Sequence, residues 1–176
     1  LDVNAMFSQF ENFGQETILS DNLRGKISLE AKFDSQLNDN MEVIGETMSG
    51  EVRLSLKDGQ LINFEPIEKL SNFLFKNRDF SRVSFSELNE TFQVRGFEMT
   101  INELEIGSNI LNLYVVNGIY NFKGESHINV LLPWNNLKKR SKDHVPELSG
   151  KKAEQAKGVK LNFSGPANKM KVSLGH

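Results

Sequence analysis

The sequence contains no cysteine, one tryptophan and four prolines in 176 residues. Without cysteine there is neither a disulfide nor a thiolate metal site, although no compartment follows from this, because an oxidising space does not require disulfides. No apolar run approaches the roughly 18 residues needed to span a bilayer. Neither sign of charge dominates: 21 basic side chains stand against 23 acidic ones, a formal net charge of -2. A nucleic-acid partner would call for a basic excess, so that class is set aside. Aromatic residues with a polar handle are scarce as well. Thirteen Phe outnumber two Tyr and one Trp, so nearly all the aromatic surface lacks a polar atom that needs a hydrogen-bond partner.

The length fits a single domain, 1–176, large enough to bury a core without staples. The chain opens at Leu1 rather than methionine and is read as part of something longer, so no conclusion about a membrane anchor is drawn from it.

The dominant pattern is alternation. In residues 24–33, RGKISLEAKF, Ile27, Leu29, Ala31 and Phe33 share one face, while Lys26, Ser28, Glu30 and Lys32 share the other. Val52, Leu54 and Leu56 repeat the pattern, which is that of an antiparallel strand with one dry face. Asp58-Gly59 reads as a hairpin turn returning through Gln60–Phe64. Further strands are expected near 81–88, 91–95, 97–106, 110–116, 118–123, 126–132, 159–164 and 169–174, with turns at Gly96, Gly107-Ser108, Asn117-Gly118 and Gly124.

Two helices are expected. Val3, Met6, Phe7, Phe10 and Phe13 are spaced as an amphipathic helix ending at Gly14, packed on the core or serving as a lid. A second opens at Glu65-Pro66, with Ile67, Leu70, Phe73 and Leu74 on one face. No helix separates the middle strands, so the sheet should be an antiparallel meander. The fold class is thus mainly β with a few short helices: a curved antiparallel β-sheet, an open groove or partly closed barrel, with helices covering one face or end.

Catalytic patterns are missing. His127, His144 and His176 are scattered without HExxH spacing, and no GxSxG elbow, P-loop or GxGxxG occurs. Glu103 and Glu105 flank Leu104 on one strand face and read as solvated. Asn89-Glu90-Thr91 and Asn162-Phe163-Ser164 match a glycosylation sequon too short to carry weight. No catalytic residue, metal ligand or cofactor is assigned. Residues 138–157 hold seven Lys or Arg against three acidic residues and read as a polar, flexible loop over about 138–158. Near anionic headgroups such a cluster gains about 1 kcal/mol per basic residue.

Four segments, DGQLINFEPIEKLSNFLF, FSRVSFSELNETFQV, INELEIGSNILNLYVVNGIYNFKG and VLLPWNNLKKRSKD, together resemble the C-terminal region of AsmA-like proteins of Gram-negative bacteria, in the versions of Bacteroidetes-type envelopes. The resemblance covers roughly residues 45–145. It rests on the order and spacing of short motifs, and the family's N-terminal membrane helix and much of its length are missing here. It implies a periplasmic protein anchored in the inner membrane, related to TamB and the bridge-like lipid transporters. Those fold as a curved sheet along whose apolar face acyl chains slide. The family offers no catalytic residues to carry over.

On this reading the partners are phospholipid or another acyl-chain lipid, the membrane through the absent anchor, and envelope proteins. The groove would be lined by Ile27, Leu29, Val52, Leu54, Leu56, Leu111, Leu113, Val115, Ile128, Val130 and Leu132. The helix bearing Ile67, Leu70, Phe73 and Leu74 would cap one end, and Lys138, Lys139 and Arg140 would meet headgroups. The competing reading is a structural β-domain, filled by its own side chains, that binds an envelope partner. A lipid hydrolase would need a nucleophile and base that are not visible in the sequence.

Overall fold

In the computed structural model, residues 2–9, 11, 19–64, 68, 78–138, 140–141, 143–166 and 169–175 are described. Among the described residues the helix α1 (Val3–Gln9) precedes ten strands: β1 (Leu23–Asp34), β2 (Ser49–Ile62), β3 (Arg82–Ser84), β4 (Leu88–Arg95), β5 (Glu98–Ile101), β6 (Leu104–Gly107), β7 (Asn112–Asn121), β8 (Glu125–Pro133), β9 (Gly158–Pro166) and β10 (Lys171–Leu174). They form one sheet that does not close into a barrel, in the order β1-β2-β4-β5-β7-β8-β9-β10. β3 continues the row of β4 against β2, and β6 continues the row of β5 against β7. Every pairing is antiparallel.

Two expected hairpins are single strands. Asp58-Gly59 does not turn the chain; it is a bulge inside β2, where Lys26 faces Lys57 but Arg24 faces Gln60. A two-residue hairpin of this type needs positive φ at both central residues. Here Asp58 alone has it, at 52°, and one left-handed residue produces a bulge instead. Opposite it lies Gly25, at φ 127°, where an added Cβ would fall 2.9 Å from the Cα of Gly59. Only glycine fits that approach. Asn117-Gly118 likewise lies within β7, and neither residue has positive φ. Val116 is the extra residue there, between the pairs Val115/Val130 and Asn117/Asn129.

Two expected strands are instead broken. β4 and β5 pair from Arg95/Glu98 to Gln93/Thr100 and then separate, and the two rows meet again in the same register at the isolated Phe85/Ser108 bridge, just after β3 and β6. The expected strands 81–88 and 97–106 accordingly split at 85–87 and 102–103.

The bulges matter for patterning. Each shifts the parity of its strand by one, so that apolar residues on either side of it share a face. In β2 the bulge keeps Leu61 with Leu56; in β7 it keeps Tyr120 and Gly118 with Val115. The helix expected over residues 2–13 is described for Val3–Gln9, with Val3 and Met6 buried against Ile27 and with Phe7, Leu23, Leu54 and Leu56 around them. Phe10 and Phe13 lie outside the described residues, as do Ile67, Leu70, Phe73 and Leu74 of the second helix.

Candidate functional site: an apolar face across the whole sheet

Cross-strand registers place one apolar face across the sheet. On β1 and β2 the pairs are Phe33/Gly50, Ala31/Val52, Leu29/Leu54, Ile27/Leu56 and Leu23/Leu61. The face continues through Leu88, Phe92 and Val94 of β4, then Met99 and Ile101 of β5. Leu104/Val115, Ile106/Leu113, Val115/Val130 and Gly118/Ile128 carry it over the centre. Val159, Leu161 and Phe163 of β9 and Val172 and Leu174 of β10 complete it. The opposite face is wet over β1 and β2, whereas at β7 and β8 it buries Tyr114 and Leu131 against Ala153. It carries Lys26, Glu30 and Lys32, with exposed ion pairs such as Arg53–Glu51 at 3.0 Å that contribute little to stability.

Ten of the eleven residues expected to line a groove lie on this face within strands, and the eleventh, Leu111, immediately precedes β7. Nine of them fall into three environments; of the other two, Leu29 is half exposed at the sheet edge and Val52 pairs with Ala31 and Phe92. Ile27, with Leu54 and Leu56 beside it, lies under α1. Leu111, Leu113 and Leu132 belong to a cluster at one end of the sheet, built on Leu61, Phe80, Val83 and Ile110. Val115, Val130 and Leu104 form a central cluster with Ile128 against them, and among the described residues everything packed there belongs to the sheet. These side chains are buried on a curved sheet that is not closed into a barrel.

Part of the face is open. Leu29 is 46% and Phe33 43% exposed at one edge, and Val172 is 46% and Leu174 70% exposed at the other. The face is therefore a trough, closed at the Phe80/Ile110 end and open along both margins.

One charged side chain interrupts it. Glu90 pairs with Leu54 and stands between Leu88 and Phe92 on the dry face. Loss of hydration pushes its carboxyl above the ordinary glutamate range, partly offset by a hydrogen bond from the Thr91 backbone. Alternation in LNETFQV places residue 90 with 88 and 92, so the sequence itself carries the signal for a charge on the dry face.

Among the described residues of 138–157 there is no strand, but several of them pack on the opposite face. Asn112 Nδ2 donates to Glu147 O (2.9 Å), Tyr114 and Ser149 share a hydroxyl contact at 2.7 Å, and Ala153 is buried against Tyr114 and Leu131. Glu105, expected to be solvated, accepts from the backbone N–H groups of Ser149 (2.7 Å) and Gly150 (3.1 Å). Of the expected headgroup contacts, Lys138 is exposed, Arg140 is half-buried in hydrogen bonds, and Lys139 lies outside the described residues. Among the described residues no cluster of His, Asp or Glu has the arrangement of a metal site, and none of their helices is long and apolar enough to cross a membrane.

Comparison with protein-family models, with curated proteins and with solved structures returned no match. The likeness to AsmA-like proteins thus rests on the four quoted segments.

Proposed function

We propose that the trough holds the acyl chains of phospholipid and that the protein is a non-enzymatic segment of a lipid conduit. On this reading it acts in the periplasm of a Gram-negative envelope, in a protein anchored in the inner membrane, and supports movement of phospholipid to the outer membrane. The observation that carries the proposal is the continuity of the apolar face from β1 to β10 together with its open margins. A long exposed apolar surface calls for an occupant. Acyl chains fit because their burial is non-directional, at about 0.8 kcal/mol per methylene, or on the order of 10 kcal/mol gross for a 16-carbon chain before ordering costs. The preference for Phe over Tyr and Trp suits a lining with few polar atoms to satisfy. The wet face leaves headgroups hydrated.

The test is substitution on the dry face. Leu54→Asp and Leu113→Asp should abolish phospholipid binding and weaken the outer-membrane barrier in cells. Leu29→Asp, at a half-exposed site that costs little folding stability, should do the same while leaving the circular dichroism spectrum unchanged. Full barrier function with a folded Leu29→Asp protein contradicts the proposal.

A second reading has its own observation. β1 ends the sheet, and among the described residues no strand lies beyond it along Ser28–Asp34. Such an edge can accept a strand from an envelope protein. Replacing Ser28 and Glu30 by proline would remove that pairing and leave acyl binding in the trough intact.

A further inference from the structure

The connection from β1 to β2 stands clear of the sheet. Every residue from Asp34 to Val43 is exposed, yet the segment is built. Leu37 and Val43 form an isolated bridge. Asn38 closes the turn: its Oδ1 accepts from the backbone N–H groups of Asn40 (2.9 Å) and Glu42 (3.0 Å), and its Nδ2 donates to Glu42 Oε2 (2.8 Å). The tip is apolar. Leu37 and Val43 are exposed and Met41 is 76% exposed. Met41 is also held at φ 64°, a left-handed position that glycine or asparagine fills at lower cost. Folding alone gains nothing from methionine there. The surroundings are acidic, since residues 34–48 hold Asp34, Asp39, Glu42 and Glu46 and no Lys or Arg.

The connection from β8 to β9 has the complementary character. Leu148 is exposed and Val145 is 74% exposed. Seven Lys or Arg stand against three acidic residues over 138–157, and Lys138, Lys151, Lys152 and Lys157 are exposed. This connection packs on the start of β7 through Glu147, Ser149 and Ala153. The two surfaces therefore lie at opposite ends of the sheet. Ser49 pairs with Asp34 at one end of β2, whereas Leu61, near its other end, packs in the cluster with Ile110 and Leu132. The 14 residues of β2 span on the order of 45 Å, so the tip and the basic connection of one molecule are too far apart to meet.

We propose that the acidic, apolar tip at residues 34–48 docks on the basic connection between β8 and β9 of a second copy of this chain. Both halves of the contact are present on one chain, opposite in charge and alike in their exposed apolar side chains. Charge steers the approach and selects the partner, and burial of the apolar side chains holds it. Unlike surfaces make the contact head-to-tail. An anionic membrane would repel the acidic tip. The contact stands whether or not the trough takes acyl chains.

Sedimentation velocity of the full chain tests it, over a concentration series up to about 1 mM, which saturates a micromolar contact. In low salt the average mass should rise with concentration above that of one copy. In about 1 M sodium chloride, where the Debye length is about 3 Å, it should fall back toward one copy. Asp39→Lys and the double variant Lys151→Glu/Lys152→Glu change exposed side chains and should keep the wild-type circular dichroism spectrum. Each alone should weaken association by about tenfold or more. An equimolar mixture of the two should restore it, because each supplies the surface that the other lacks. Wild-type protein that sediments as a single copy at every concentration overturns the proposal, and its binding to phosphatidylglycerol vesicles would then assign the basic connection to a membrane instead. Association that survives both variants, or a mixture that stays as weak as its parts, overturns it as well.

Discussion

Glu90 is the residue whose position departs most from its surroundings. It faces Leu54 on an otherwise apolar strip, and its carboxyl is held above the ordinary value of 4.5 by lost hydration. A carboxyl that binds its proton more tightly when folded adds stability at low pH, where it is protonated in both states. That contribution is lost as pH rises from about 4.5 through the raised folded value. Glu90→Gln should remove this loss. The wild-type and variant urea midpoints, compared point by point over that window, should diverge progressively as pH rises, with the variant the more stable at neutral pH. The difference isolates Glu90 from Asp79 and Glu87, whose carboxyls are held low by hydrogen bonds from Ser81 and Asn89 and so contribute with the opposite sign. Parallel curves for wild type and variant would show that Glu90 is hydrated in the folded protein.

At the scale of elements, the bulges hold the dry face together and were the least legible part of the sequence. Alternation is a local signal, and it located β1, β8 and β9 within a residue or two because each of those strands keeps one parity throughout its patterned stretch. Asp58-Gly59 and Asn117-Gly118 carry the composition of hairpin turns, and composition does not reveal whether one residue or two will adopt positive φ. What decides is the partner strand, where Gly25 makes room for Gly59. Gly25→Ala should therefore cost about 1–3 kcal/mol by forcing a side chain into a left-handed, crowded position, measured by urea denaturation. An unchanged midpoint would mean that the bulge is not a fixed feature.

At 85–87 and 102–103 the apolar parity shifts, from Val83 and Phe85 to Leu88 and from Met99 and Ile101 to Leu104 and Ile106, but a shift of parity alone does not distinguish a break from a bulge. The site residues were mixed in this respect. Lining positions could be read from parity, whereas the contacts of Glu105 with the backbone of Ser149 and Gly150 join residues far apart in the chain, which no periodicity predicts. Asn136 makes another such link. Fully buried, it accepts from Asn112 N (2.8 Å) and donates to Asn112 O (2.7 Å). Asn136→Ala should cost about 1–3 kcal/mol for each backbone group left without a partner. Differential scanning calorimetry reads this directly, and a midpoint within a degree of wild type would contradict it.

Across the whole molecule, the sheet does two things with one surface. Its centre buries Leu104, Val115 and Val130, while its margins leave Leu29, Phe33, Val172 and Leu174 open. A domain whose only task was to fill its own core would cover those margins. The trough alone does not supply an occupant, and the account stands or falls on whether one is there. The most direct measurement is organic extraction and mass spectrometry of the detergent-free protein after incubation with phospholipid vesicles and re-isolation, beside the Leu29→Asp variant. The account predicts phospholipid in near-stoichiometric amount from the wild-type protein and a large loss from the variant. Wild-type protein that emerges free of lipid, or a variant that carries as much as wild type, would contradict it.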